Sequence, residues 1–164
     1  VGGYEKMSDF GVIRSHESEG VRFGKLFAEI YYYMGKNIIE AMGEEEGAKV
    51  IAKAVEEFGQ DRVASMRAEA VERGIAVDSE DAYFMVRDMP GCGWENERIP
   101  GGSICHRCLF DEVWKRYGEM GRKVEALYCP VDYILFGSFG LDLDRPACKA
   151  NGDSTCVFHL TGKK

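Results

Sequence analysis

The sequence predicts an α+β fold, with N-terminal helices followed by an antiparallel sheet that carries packed helices. Three observations predict it. Apolar residues recur at helical spacing through residues 21–74. Two apolar stretches near the C-terminus flank Asn151-Gly152, a dipeptide suited to a hairpin turn. The helical patterns come first and the strand patterns later, which fits segregated rather than alternating elements. A length of 164 residues fits one domain. It divides into a helical part, 1–75, and a sheet-containing, cysteine-rich part, 80–164.

Residues 1–17 carry mixed charges and a Gly-Gly pair, and no element is predicted there. From Val21 to Met42, Phe23, Phe27, Ile30, Met34 and Ile38 mark one helix. Tyr31-Tyr32-Tyr33 spans too wide an arc to be all core, so one side is expected to be open. Gly43 stops this helix. Glu44-Glu45-Glu46 then opens the next, where negative charge suits a helix N-terminus. Val50, Ile51, Ala54, Val55 and Phe58 form its stripe, and Gly59 is expected to break or kink it. A further helix carries Val63, Met66, Ala70 and Val71 to Gly74. Ala82 to Met89 suits a strand ended by Pro90-Gly91, and Gly91-Cys92-Gly93-Trp94 suits a turn that leaves Cys92 a bystander. Glu97 to Ile104 is expected as a strand interrupted by Pro100-Gly101-Gly102. Cys108 to Tyr117 and Val124 to Phe136 read as helices, the second with Pro130 tolerated in its first turn. Leu141 to Lys149 and Thr155 to Thr161 read as the hairpin strands.

The net charge is −7 with only 21 Lys and Arg, and no basic stripe exists to neutralise phosphates, so nucleic acid is not an expected partner. No apolar run reaches the roughly 18 residues of a membrane helix. No secretory pattern is visible, so the expected location is cytoplasmic and the thiols are expected to be reduced. No dinucleotide or phosphate loop occurs, so no nucleotide cofactor is expected. The expected partner is a small-molecule substrate or ligand, and the open side of the tyrosine helix leaves room for a homodimer.

Five of six cysteines fall between 105 and 156. A three-residue turn Asn151-Gly152-Asp153 sets Cys148 opposite Cys156, roughly 4.5–5.5 Å apart at Cβ, whereas a two-residue turn pairs Ala147 with Cys156. On the last strand Cys156, Phe158 and Leu160 share one face, and Val157 and His159 the other. Cys129 and Asp132 are three apart on a helix, and Cys108 and Glu112 four apart. Zinc is the candidate metal, held by Cys129, Cys148, Cys156 and one of Cys105, Cys108 or Asp132. The competing reading is a set of buried, inert thiols. Cys105-His106-Arg107-Cys108 has dithiol spacing but not the surrounding context of a redox fold. Cys108, at a helix N-terminus beside Arg107 and His106, is a candidate low-pKa nucleophile.

Cys108-x-x-x-Glu112, Gly118, Cys129-x-x-Asp132, Arg145 and Gly152-Asp153-x-x-Cys156-x-Phe158, with Gly43-Glu44-Glu45-Glu46-Gly47-Ala48, resemble the L-2-amino-thiazoline-4-carboxylic acid hydrolase-like family over about 20–160. The C-terminal half is also similar to the four-vinyl-reductase-type domain, an α+β module. In its sensor members a cysteine pair spaced like Cys148 and Cys156 helps bind structural zinc. Those sensors carry a Glu three residues before the first cysteine, where this chain has Arg145, as the hydrolase-like family does. The hydrolase resemblance implies opening of a cyclic amidine at a C–N bond to give a carbamoylated cysteine. Cys108 or Cys129 would then be nucleophile or ligand, Asp132 the base and Arg145 the substrate-carboxylate clamp. The alternative is a non-catalytic, zinc-stabilised, sensor-type binding domain.

Overall fold

The computed structural model describes residues 16–79 and 81–163. Most of the mixed-charge stretch 1–17 therefore lies outside the described residues. The order is helices first, then a four-stranded antiparallel sheet with helices packed on it, as the sequence predicts.

Helix α1 runs over Glu19–Met42, capped by the Ser18 side chain, which accepts from the Val21 N–H at 3.4 Å. Its inward face is Lys25, Ala28, Tyr32, Gly35 and Ile39. The predicted core stripe instead points partly outward, with Phe23 75% exposed and Ile30 and Met34 also exposed. The reason is close approach at the small residues. A Cβ on Gly35 would lie 2.9 Å from Val124 Cγ1, and the Trp114 indole donates to the Ala28 carbonyl at 2.8 Å. The buried Lys25 ammonium is paired with Glu17 at 2.5 Å. The tyrosines divide as expected. Tyr31 donates to the Val124 carbonyl at 2.6 Å, Tyr32 stacks on Tyr117 and Tyr33 is exposed.

Gly43, at φ 87°, turns the chain into α2, Glu44–Glu72. The helix runs straight through Gly59, correcting the expected break. Gly59 serves contact rather than interruption, since a Cβ there would meet Val131 at 3.1 Å and Ile134 at 3.2 Å. Ala82–Val86 is a short helix, α3, not a strand. Its β-prone residues are overruled by tertiary burial of Ala82, Tyr83 and Val86.

Strands β1 (Glu95–Ile99) and β2 (Gly102–Arg107) form a hairpin about Pro100-Gly101, where one interrupted strand was expected. Then come α4 (Leu109–Trp114), a single 3₁₀ turn at Lys115–Tyr117, α5 (Gly118–Tyr128) and α6 (Val131–Gly137). The single helix expected over Val124–Phe136 is thus two, parted at Cys129-Pro130. Pro130 has no N–H to continue the first ladder, and it sits at the N-cap of the second helix.

Strands β3 (Leu141–Ala147) and β4 (Cys156–Gly162) complete the sheet in the order β1-β2-β4-β3. Their connection is longer than a tight hairpin and contains a 3₁₀ turn at Lys149–Asn151, with Gly152 at φ 94°. Cys148, in extended backbone just past the end of β3, continues the register of the Ala147–Val157 pair and lies opposite Cys156, as expected from the sequence. A bulge between Asp144 and Ala147 sets Ala147 against Val157, and Cys156 pairs with Cys105 of β2. Alternation along the strands sends Arg98, Ser103, Cys105, Arg145, Cys156 and Phe158 to the inner face. His159 and Asp144 face out and approach to 3.7 Å. Among the described residues no helix is long and apolar enough to cross a membrane.

The α1–α2 turn depends on Gly47, whose added Cβ would sit 2.8 Å from the Ile39 Cα, a backbone atom with little room to yield. Gly47→Ala is expected to cost about 1–3 kcal/mol of overpacking, against about 1 kcal/mol gained in helix propensity. Gly59→Ala faces only side-chain ends and is expected to stay within about 1 kcal/mol of wild type. Denaturant midpoints check this, and a Gly47→Ala protein more stable than wild type would contradict the close approach.

Candidate active site

Between the inner face of the sheet and helices α2 to α6 lies a cavity of about 420 Å³. Its walls are mainly aromatic. Its floor collects thiols from four places: Cys105 and Cys156 on paired strands, Cys108 at the start of α4, and Cys129 at the end of α5. Cys148 lies just behind them and faces a second pocket of about 200 Å³, beside Ala126, Pro130, Tyr133 and Asn151. Cys129 and Arg145 line both spaces, so they form the wall between them.

All six cysteines are free thiols. Cys129 and Cys156 both hydrogen-bond to the sulfur of Cys148. Those two donors, with the Arg145 charge, hold the Cys148 thiol far below its ordinary pKa. Its partners move the opposite way. Cys129 and Cys156 are pushed up by giving their protons to Cys148 and by burial. Within the trio, Cys148 is therefore the sulfur whose thiolate form the surroundings favour. The loop supports this arrangement: the Cys148 N–H donates to Asp153 at 2.9 Å, and the Lys149 N–H donates to the Cys156 sulfur at 3.2 Å. Burial raises Cys105 to about 11 and Cys108 to about 12.

Cys108 is thus not the activated thiol expected from its neighbours. Its sulfur accepts the Asp111 N–H at 3.5 Å as the cap of α4. Arg107 turns to Glu112 at 2.7 Å, and exposed His106 turns to Glu97 at 2.7 Å. Zinc favours thiolates. However, no group of three or more His, Cys, Asp or Glu side chains among the described residues is arranged to hold a metal ion.

Arg145 does not stand free as a clamp. Its Nη1 donates to Asp132 at 2.8 Å and its Nη2 to the Cys129 carbonyl at 3.0 Å, and it lies between the rings of Tyr133 and Phe158. Asp132 keeps 27% of its side-chain surface open because it faces the cavity. Burial raises its pKa, opposed by Arg145.

A second acidic group on the wall has no counterpart in the sequence reading. Glu125, one turn before Cys129, is 1% exposed and lines the cavity. Arg122 Nη1 donates to Glu125 at 2.9 Å, to Asp111 at 2.7 Å and to the Lys149 carbonyl at 2.9 Å. One guanidinium nitrogen thus serves three acceptors, two of them buried carboxyls. Burial, then the Asp111 charge, pushes Glu125 up to about 8. The signal for it was the four-residue spacing from Cys129, which places both on one helix face. The Tyr128 hydroxyl is buried at the same cavity without a hydrogen-bond partner.

The structure therefore brings Cys129, Cys148, Cys156, Asp132 and Arg145 together and leaves Cys108 beside them as a helix cap. Over residues 24–160 the chain matches the family model described as L-2-amino-thiazoline-4-carboxylic acid hydrolase. No curated protein and no solved structure matches it.

Because the folded state holds the Glu125 proton more tightly than the unfolded chain, this group favours folding below its unfolded pKa of 4.5. That contribution is lost as pH rises toward about 8. Glu125→Gln is expected to gain stability relative to wild type across that window. Thermal melts at intervals from acid to mildly alkaline pH check it, and a constant difference would refute the raised pKa of Glu125.

Proposed function

The chain belongs to the L-2-amino-thiazoline-4-carboxylic acid hydrolase family, and from that membership we propose that it hydrolyses a ring C–N bond of a small cyclic amidine within the aromatic cavity. The observation that carries this reading is the meeting of Cys129 and Cys156 on the cavity floor with Cys148 behind them, beside Asp132 and the buried carboxyl of Glu125 whose pKa is raised. A thiolate supply and a proton donor are what addition to an amidine carbon needs. The family description favours this over a zinc-stabilised sensor module.

The roles follow from which groups face the cavity. Cys129 passes its proton to Cys148, whose sulfur already accepts it as a hydrogen bond, and attacks the amidine carbon. The carbon–nitrogen π pair moves to the ring nitrogen, which takes the Glu125 proton. The ring C–N bond then breaks with the electron pair on nitrogen, which receives a second proton from Cys148. Water, relayed to Asp132 as base, adds to the Cys129-bound carbon, and the Cys129 thiolate departs. One water is consumed: its oxygen ends on the former amidine carbon, and its two protons, one through Asp132 and one from the adduct hydroxyl, return to Cys129 and Glu125 in place of the two given to the ring nitrogen. Arg145 is a positioning residue here, holding Asp132 and the Cys129 carbonyl.

The zinc candidates Cys129, Cys148 and Cys156 have the donor chemistry for a metal but are linked as proton-sharing thiols, and the reaction is assigned to the thiols themselves. Elemental analysis with parallel thiol titration checks this. Six titratable thiols without stoichiometric zinc are expected, whereas zinc with the cluster protected would replace proton sharing by ligation.

Cys129→Ser is expected to lower kcat on 2-amino-thiazoline-4-carboxylate on the order of a thousandfold or more, and to abolish the substrate-derived adduct on the Cys129 peptide after acid quench. Cys108→Ser keeps a capping oxygen and is expected to retain activity within about tenfold. Steady-state kinetics and peptide mass spectrometry read both. Full turnover by Cys129→Ser would end the covalent reading.

A further inference from the structure

We infer that the cavity takes an amidine acid larger than an unsubstituted thiazoline carboxylate, one bearing an aromatic substituent, and that Arg98 and Arg87 receive its carboxylate. This rests on the hydrolase reading for the reacting group, but not for the rest of the ligand.

The first ground is size and lining. About 420 Å³ has room for roughly fourteen waters at about 30 Å³ each, and it falls in the range of roughly 300–1,000 Å³ that holds multi-ring ligands. A single five-membered ring with one carboxylate fills a small part of it. Much of the remaining wall is Phe84, Met89, Trp94, Phe110, Phe136 and Phe158, with Asn96 and Ser103 as its polar positions. Of those six apolar residues only Trp94 carries a hydrogen-bond donor. They form a surface for rings, and Trp94 already meets Phe110 edge-on at 4.9 Å between centroids.

The second ground is charge. In a chain of net charge −7, four arginines line this cavity. Arg145 is taken by Asp132, and Arg62 by Asp88 at 2.6 Å. Arg87 and Arg98 make no ion pair with a described residue. Both are exposed at the cavity's rim, and Arg98 lies over the Phe84 ring at 4.7 Å. Uncompensated guanidinium groups beside an aromatic wall suit a carboxylate attached to a ring system.

The third ground lies deeper. The Tyr128 hydroxyl, on a residue 7% exposed, has no protein partner although it reaches this cavity. A buried donor of that kind costs stability until a ligand accepts from it. The amidine nitrogens are acceptor and donor groups that suit this hydroxyl, with the carboxylate of the same ring directed at the arginines and the substituent against the aromatic wall.

The test is binding, measured separately from turnover. Calorimetry on the intact chain would compare 2-amino-thiazoline-4-carboxylate, its 5-phenyl derivative and the 5-phenyl compound without the carboxylate. The Cys129→Ser protein, expected to be unable to turn them over, serves as receptor. The phenyl acid is expected to bind roughly 10- to 100-fold tighter than the parent, the increment for burying one aromatic ring. Loss of the carboxylate, or Arg98→Gln, is expected to weaken it about tenfold, and combining the two should cost little more than either alone. Both arginines are exposed, so these variants keep their fold. Equal or weaker binding of the phenyl acid would overturn the inference whatever the kinetics show. An Arg98→Gln effect that persists on the compound without a carboxylate would remove the rim contact. Tight phenyl-acid binding with no hydrolysis by wild type would leave the ligand class standing and end the hydrolase reading instead.

Discussion

The site depends on a break in the helical run at Cys129-Pro130. Proline withholds the N–H that would have continued α5, and the chain restarts as α6 with Pro130 as its cap. At the break the Cys129 carbonyl accepts from the Asp132 N–H at 3.3 Å and from Arg145 of the neighbouring strand, which also holds the Asp132 carboxylate. Without the break, Cys129 would sit inside a regular helix. With it, one guanidinium fixes a sulfur-bearing residue, a carboxylate and the edge of the sheet together.

The electrostatics of the region follow from how few charges are left uncompensated in it. Arg122 serves two carboxyls and a loop carbonyl. Cys148 accepts from two thiols, which favours its thiolate form. Hydrogen bonds to Cys148 and burial raise the pKa of Cys129 and Cys156, and burial raises that of Glu125, so a weakly acidic carboxyl and a favoured thiolate stand a short way apart, each held by its own partners. The aromatic layer of Phe27, Phe110, Trp114 and Tyr128 closes over them and keeps the local dielectric low.

Much of this was legible in the chain, and the remainder was hidden for identifiable reasons. Periodicity located α1 and α2, because two long runs of spaced apolar residues have few alternatives. It misjudged which face of α1 turns inward, because Ala28 and Gly35 admit neighbours that bulkier residues cannot, and small side chains leave a weak hydrophobic signal. It read α3 as a strand because five residues are too few to show a helical period, and Tyr83, Phe84 and Val86 all favour strands in isolation. Gly59 and Pro130 were each given the other's role: glycine was expected to break a helix and proline to be tolerated. Which wins depends on whether a neighbour needs the space, and only Gly59 has Val131 and Ile134 pressed against it. The convergence of cysteines was visible in their clustering. Their order of acidity was not, since it arises from which sulfur sits between the other two. Glu125 was not singled out in the sequence, because only the fold brings Asp111 and Arg122 around it.

The pairing of Cys105 with Cys156 carries a consequence for how the molecule comes into being. It joins the middle of the chain to nearly its end, so closing that contact comes at the entropy of a long loop, and strands paired across such distances set the pace of folding. Helices α1 and α2, by contrast, meet through a single glycine turn. The sulfur cluster and the cavity above it are therefore products of the last and least local contacts to form. During synthesis the cluster cannot assemble until β4 has emerged, because both its Cys156 and the loop carrying Cys148 come late. Until then its cysteines stand apart as ordinary thiols, and their chemistry begins only once β4 has been made.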